Sequence, residues 1–191
     1  MACAVALVGT GCGISPDAEP RDLAEDERII AVAGVPVGAD AEGADRIYLV
    51  GPGEDGLLRS VPREAVAGLT LMEILLLGPN EAEIETQFST VIPSGTRLLQ
   101  PARSRGSFLF LDVSSEISEL TGDSLVQALA QVVYTATELD GIEAVQLTVD
   151  GESLSWPKAN GETTTGALRT YDYPGLVRTA QPDYPGLPSG V

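Results

Sequence analysis

Hydrophobic positions between Leu125 and Val149 change their spacing partway, and the change separates a helix from a strand. Before Asp140, apolar side chains recur every three or four residues, as on one side of a helix: Leu125, Leu129, Val132, Val133, Ala136 and Leu139. After Asp140-Gly141, where glycine favours a helix end, Val145, Leu147 and Val149 alternate with polar residues. The pattern predicts an amphipathic helix, capped by Asp123, packed on a sheet that contains this strand.

The first half of the chain predicts two strands and an earlier helix. Residues 47–50 form an apolar run typical of a buried strand, and residues 57–66 are the expected returning strand, where Pro62 limits part of it to an edge or a bulge. Thr70 and Glu73 have the spacing of a capping box at the start of a helix. Gly78-Pro79 ends that helix, and Asn80 can cap a short turn after it.

Between the two helices, residues 96–102 and 107–113 are strand-like runs, and Arg103 to Gly106 is the expected hairpin turn. Phe108 and Phe110 then share one face of their strand, and Asp150-Gly151 predicts a last hairpin that returns through Trp156. Strands interrupted by helices indicate an α+β fold, a mainly antiparallel sheet with two helices packed on one face.

Charge and composition exclude several functions. The 191 residues carry a formal net charge of −17, which repels nucleic acids and anionic lipids. The chain has no histidine, so Ser-His, Cys-His and histidine-zinc sites are unavailable. Glu81 with Glu85, and Glu54-Asp55, leave open a calcium site or paired-carboxylate catalysis, but neither has EF-hand spacing. We expect a protein that is not an enzyme and needs no cofactor or metal.

The N-terminus suggests a membrane anchor. Met1 to Gly11 carries no charge, and the apolar run at residues 4–8 leads through small residues to Cys12. This resembles a bacterial lipoprotein signal peptide with its lipobox, which implies lipid attachment at Cys12 and an extracytoplasmic location. The alternative is an apolar leader with an unmodified thiol. Residues 1–12 are the expected signal peptide, and residues 13–44, rich in Asp, Glu, Pro, Ala and Gly, the expected acidic, disordered tether.

Four separated blocks resemble one known family. They occur in the order Leu77-Gly78-Pro79-Asn80, residues 89–96, residues 130–137 and residues 145–151. Together they resemble the GerMN (sporulation and spore germination) domain, with residues 45–156 as the domain. The resemblance implies a fold related to the ring-building motif of sporulation complexes, and a non-catalytic interaction domain of envelope lipoproteins. The chain is too short for the propeller found in larger members.

Residues 157–191 are expected to form an extended tail. Asp172-Tyr173-Pro174-Gly175-Leu176 recurs as Asp183-Tyr184-Pro185-Gly186-Leu187, a repeat that favours extended conformation. Such tails resemble those of short actinobacterial members of the family. One interpretation is a ligand-binding arm that uses Tyr173 and Tyr184; the other is a strap that covers an apolar patch of its own domain.

Arginines gather locally in this acidic chain. Arg97, Arg103 and Arg105 lie around the expected hairpin, where guanidinium groups can bind carboxylates or phosphates bidentately. The alternative is that they pair with acids of their own surface. The sequence thus predicts a lipid-anchored envelope protein that binds envelope proteins or a cell-wall polymer, or associates with itself. A peptidoglycan-acting accessory enzyme and a small-ligand-binding lipoprotein are the alternatives.

Overall fold

The computed structural model describes residues 45–178 except 54, 65 and 67. Its strands are β1 (Asp45–Val50), β2 (Leu58–Arg63), β3 (Arg103–Arg105), β4 (Phe108–Val113), β5 (Ala144–Val149), β6 (Glu152–Ser153), β7 (Trp156–Pro157) and β8 (Thr163–Thr164). Its helices are α1 (Leu71–Leu77), α2 (Glu81–Glu85) and α3 (Gly122–Ala136), with 3-10 turns at Ser115–Glu119 and Thr170–Asp172. This is the mixed helix and strand order that the spacing of apolar residues predicts. The predictions for residues 1–44 lie outside the described residues.

The main sheet has four strands in the order β3-β4-β5-β6. The β3–β4 and β5–β6 pairs are antiparallel, but β4 and β5 are parallel. Parallel neighbours need a crossover connection, and α3 supplies it. The β1–β2 and β7–β8 pairs are antiparallel two-stranded sheets. The expectation of a mainly antiparallel α+β fold is therefore confirmed, with one parallel pair at the centre of the main sheet.

Helix α3 packs against the sheet through the apolar side that the sequence predicts. Leu129, Val132, Val133 and Ala136 are buried, and they join one hydrophobic core with Leu147 of β5. The expected capping role of Asp123 is wrong: the N-cap is Thr121, and no side chain caps this helix. The helix begins instead at Gly122, whose φ of 57° lies in the left-handed region that glycine tolerates.

The short helices begin where the capping residues predict. At α1, the Thr70 side chain accepts a hydrogen bond from the Glu73 amide, and Glu73 accepts one from the Thr70 amide in return. Asn80 and Glu83 make the same reciprocal pair at α2. These contacts satisfy amides that the first turn of a helix leaves free, so the predicted capping box at Thr70 and the predicted cap at Asn80 are confirmed.

The hairpin before β4 differs from the prediction. Arg103 to Arg105 form β3 itself, and the turn lies at Gly106-Ser107, with Gly106 at a φ of 59°. Residues 96–102 are not a continuous strand, since Leu98 makes only an isolated bridge to Val113. Pro101 has no amide hydrogen to donate to a ladder, which explains the break between that bridge and β3.

Packing continues past the expected domain end at residue 156. Leu168 and Tyr173 are fully buried in the same core, Leu168 bridges to Val145, and Val177 bridges to Leu58 of β2. The prediction of an extended tail is wrong for residues 157–178, where the alternative of a strap holds. We call residues 157–178 the C-terminal strap.

Candidate functional site

One side of β4 is covered and the other is open. Leu109, Leu111 and Val113 are buried, whereas Phe108 and Phe110 are 36% and 41% exposed. The register of β3 places Arg105 opposite Phe108 and Arg103 opposite Phe110. Directly opposed residues of an antiparallel pair project to the same face. The two arginines and the two rings therefore share the open face of the sheet.

The C-terminal strap adds a third arginine to this face. The bridge between Leu168 and Val145 sets the strap beside β5. From there, the guanidinium carbon of Arg169 lies 5.8 Å from the ring centroid of Phe108 and 5.9 Å from that of Tyr171. Both distances are within cation–π range, worth about 0.5–1 kcal/mol at an exposed site. Tyr171 is 70% exposed.

We name these six residues the arginine–aromatic face: Arg103, Arg105, Phe108, Phe110, Arg169 and Tyr171. It combines cationic groups with apolar ring surface, which is the residue combination enriched at protein interfaces. Exposed pairs of phenylalanines on a sheet are unusual in a soluble domain unless something covers them.

The arginines of this face differ from other arginines of the domain in their ion pairs. Four of those others pair with carboxylates, at nitrogen–oxygen distances of 2.7 to 3.9 Å: Arg59, Arg63, Arg97 and Arg178. Within residues 45–178, apart from the three gaps, Arg103, Arg105 and Arg169 have no such partner. The carboxylate of Asp112, on the same side of β4, instead accepts hydrogen bonds from Thr148 and Gly151 at 2.8 Å.

The structure brings together two of the three arginines singled out from the sequence. Arg103 and Arg105 are neighbours on β3, and the Arg103 guanidinium donates to Gln100 at 3.4 Å. Arg97 lies before β3 and pairs with Glu116 at 3.4 Å, so pairing with its own surface holds for Arg97. A hydrogen bond to the Ser114 side chain is the main cause that lowers the pKa of Glu116.

Tyr173 cannot serve as the exposed binding residue that the arm interpretation requires. Its side chain is fully buried, and its hydroxyl donates to the carbonyl of Pro157 at 3.1 Å. Burial raises the pKa of the Tyr173 hydroxyl. Next to it, Asp172 pairs with Lys158 at 3.0 Å, and this contact raises the pKa of Lys158. The first copy of the repeat is therefore structural. Tyr184 and Cys12 lie outside the described residues and stay predictions.

Sequence reasoning missed Arg169 and Tyr171. Their positions depend on the pairing of Leu168 with β5, and the strap has no apolar repeat long enough to indicate that contact. The alternation that separates Phe108 and Phe110 from their buried neighbours was visible in the sequence, but it did not show that three arginines surround these rings.

Carboxylates do not form a metal site in the part of the chain that the structure describes. Glu81 and Glu85 are exposed on α2, while Glu83 between them pairs with Arg63 at 2.7 Å. Asp55 pairs with Arg178 at 3.2 Å. Among the same residues, no helix is long and apolar enough to cross a membrane.

The geometry defines a small α+β domain with an open, arginine-bearing sheet face. The family model for sporulation and spore germination proteins (Germane) matches residues 46–155, more than half of the chain, so this protein belongs to that family. Search of curated proteins gives no match.

Two solved structures share the fold. The tandem GerMN domains of the sporulation protein GerM from Bacillus subtilis are 21% identical, with a TM-score of 0.53, covering 78% of this chain and 51% of that one. The first GerMN domain of the same protein is 17% identical, with a TM-score of 0.52, covering 68% of this chain and 98% of that one. This chain thus spans about half the length of the tandem protein, and one GerMN domain accounts for the likeness.

Proposed function

We propose that this protein is a lipid-anchored, extracytoplasmic interaction module that binds a partner of the cell envelope through its arginine–aromatic face. It works by binding and not by catalysis. Cys12 carries the lipid, and the acidic segment at residues 13–44 separates the anchor from the domain. Tethering to a surface raises the effective concentration of the domain for partners on that surface, so moderate affinity is sufficient.

The observation that carries this proposal is a positive charge on the face that has no carboxylate partner among the described residues. In a chain with a net charge of −17, arginines have many carboxylates available, and four arginines of the domain use them. Arg103, Arg105 and Arg169 lie beside exposed rings without a carboxylate partner among the described residues. Guanidinium groups bind carboxylate or phosphate groups through paired hydrogen bonds, and a neighbouring ring attracts the cation by cation–π contact. The face therefore suits an anionic partner.

The anchor is tested by the mass and location of the protein. We expect the natively expressed chain to be cleaved before Cys12 and to carry acyl chains, and a Cys12→Ala variant to leave the membrane fraction. A full-length, unmodified product in the soluble fraction would contradict the anchor while leaving the binding face untouched.

The face is tested by crosslinking in cells that express matched variants. Arg103→Gln with Arg105→Gln removes two charges that have no carboxylate partner in the described part of the chain. Arg97→Gln with Arg178→Gln removes two charges that pair with acids. Both doubles change the net charge equally. We expect the first double to lose crosslinks to envelope components and the second to keep them. Equal crosslinking by both doubles would refute a role for the face.

A further inference from the structure

The outer edge of β3 lies between two surfaces of opposite chemistry. In the sheet order β3-β4-β5-β6, β3 is at an end, and no described strand pairs with its outer side. In an antiparallel pair, alternate residues direct their N–H and C=O groups away from the partner strand. Such an edge is a template on which another extended chain can form hydrogen bonds.

On one side of this edge is the positive charge of Arg103 and Arg105. They are two residues apart on a strand, so their side chains leave the same face about 6.6–6.8 Å from each other. Neither has a carboxylate partner within the described part of the chain. Carboxylates at alternate positions of an added strand have the same spacing and would face these two guanidinium groups.

On the other side of the edge is an apolar groove. Ser104 projects to this side, because its register partner is the buried Leu109. The groove, with a volume of about 490 Å³, is lined by Ser104 together with Leu69, Met72, Leu109, Leu139 and Ile142. A second groove of about 370 Å³ shares Thr70 and Ala102 with it, so the channel continues past the start of β3. Asp140 at the rim would repel an acidic side chain directed into the groove.

We propose that β3 binds an extended segment of a partner protein, in which acidic and apolar residues alternate, as an added fifth strand of the sheet. This rests on the proposed binding role of the arginine–aromatic face and names its partner class. The acidic residues of the segment lie over Arg103 and Arg105, and the residues between them fill the groove beside Ser104. A polymer that carries charge without the alternation uses only one of the two surfaces.

The test compares synthetic peptides that differ only in pattern and backbone. One peptide alternates glutamate and valine, a second has the same residues in two blocks, and a third is the first with alternate amides methylated. Binding to the full chain is measured by calorimetry, in parallel with a wall teichoic acid. We expect the alternating peptide to bind at least about tenfold more tightly than the block peptide, since only it reaches both surfaces. We expect methylation to abolish binding, since it removes hydrogen bonds from the added strand.

Variants assign each surface. Arg103→Gln with Arg105→Gln removes the charged surface, and Leu69→Ser removes an exposed apolar wall of the groove. We expect each change to weaken binding of the alternating peptide by about tenfold or more. Arg97→Gln is the control and should leave this binding unchanged. Circular dichroism and urea midpoints confirm that each variant is folded.

The outcomes separate this inference from the proposed function. Equal binding of the alternating and block peptides, or teichoic acid binding without peptide binding, would overturn strand addition while leaving an anionic partner for the face. A third outcome is that the protein does not bind the peptide but associates with itself, and that Arg103→Gln with Arg105→Gln abolishes this association. That result would overturn strand addition by a partner protein and identify a second copy of the chain as the partner. If the variant with Arg103→Gln and Arg105→Gln kept both peptide binding and envelope crosslinking, both proposals would be refuted.

Discussion

Gln131 connects three parts of the domain from a fully buried position, and its replacement by leucine tests how much this connection stabilises the fold. The side chain amide on α3 donates to the carbonyl of Tyr48 at 2.9 Å. Its oxygen accepts from the amide of Val91 at 3.1 Å and from the hydroxyl of Thr90 at 3.2 Å. The helix is thereby joined to β1 and to the loop after α2.

Gln131→Leu keeps most of the side-chain volume but removes all three contacts. The carbonyl of Tyr48 and the amide of Val91 then lose this partner, at a cost of about 1–3 kcal/mol each when buried. The Thr90 hydroxyl can rotate, so we assign it no cost. Burial of the added apolar surface offsets about 1–2 kcal/mol. From the middle of each range, we expect the free energy of unfolding to fall by about 2–3 kcal/mol.

Urea denaturation of the full chain measures this change, with Gln146→Leu as the matched control. Gln146 is only partly buried, and its side-chain hydrogen bond to the carbonyl of Thr165 is long at 3.4 Å. We expect the control to stay within about 0.5 kcal/mol of the original protein, as most surface substitutions do. If Gln131→Leu also stayed within about 0.5 kcal/mol at an unchanged m-value, the assumed cost of unpaired buried backbone groups would be refuted.

Three further changes test other contacts of the domain. Tyr173→Phe should lower the free energy of unfolding by about 1 kcal/mol near neutral pH, because it removes the hydroxyl that donates to Pro157. In the original protein the raised pKa keeps Tyr173 protonated in the folded state above about pH 10, where the tyrosine of the unfolded state ionises, so stability falls with rising pH. In urea titrations at alkaline pH, the stability of the variant should therefore fall less steeply than that of the original protein. Glu83→Leu should cost about 3 kcal/mol because it removes the carboxylate partner of Arg63, whose side chain is mostly buried. Adding Arg63→Met should recover part of that loss in a double-mutant cycle, and a cycle without recovery would contradict the ion pair. Trp156→Phe removes the indole hydrogen bond to the Leu147 carbonyl at 3.1 Å, and should lower the urea midpoint by an amount equivalent to about 1–3 kcal/mol; an unchanged midpoint would show that this contact is replaced by water.

Local signals in the sequence predict much of the fold, because their physics acts over a few residues. Each of these signals depends only on near neighbours, and all appear in the structure: the capping box at Thr70, the cap at Asn80, the spacing of apolar residues on α3 and the alternation along β5. The cap at Asp123 failed because Gly122, with its positive φ, already begins the helix.

Contacts between distant segments were not predictable in the same way. The parallel pairing of β4 with β5 depends on how α3 crosses the sheet, and no local residue signals it. The pairing of Leu168 with Val145 places Arg169 on the candidate face, yet these two segments look unrelated in sequence. Four of the six residues of the arginine–aromatic face could therefore be located from β3 and β4 alone, and the other two required the tertiary structure.

Because the C-terminal strap contributes to the core, the folded domain is longer than the segment that the family model matches. The family match ends at residue 155, but Leu58 at the start of β2 exchanges backbone hydrogen bonds with Leu176 and Arg178, at 2.8 and 2.9 Å. Synthesis proceeds from the N-terminus, so β2 emerges early and receives this second neighbour only after residue 178 has been made. The domain therefore cannot complete its core before the strap has been made, and a chain cut at the family boundary would lack the buried side chains of Leu168 and Tyr173.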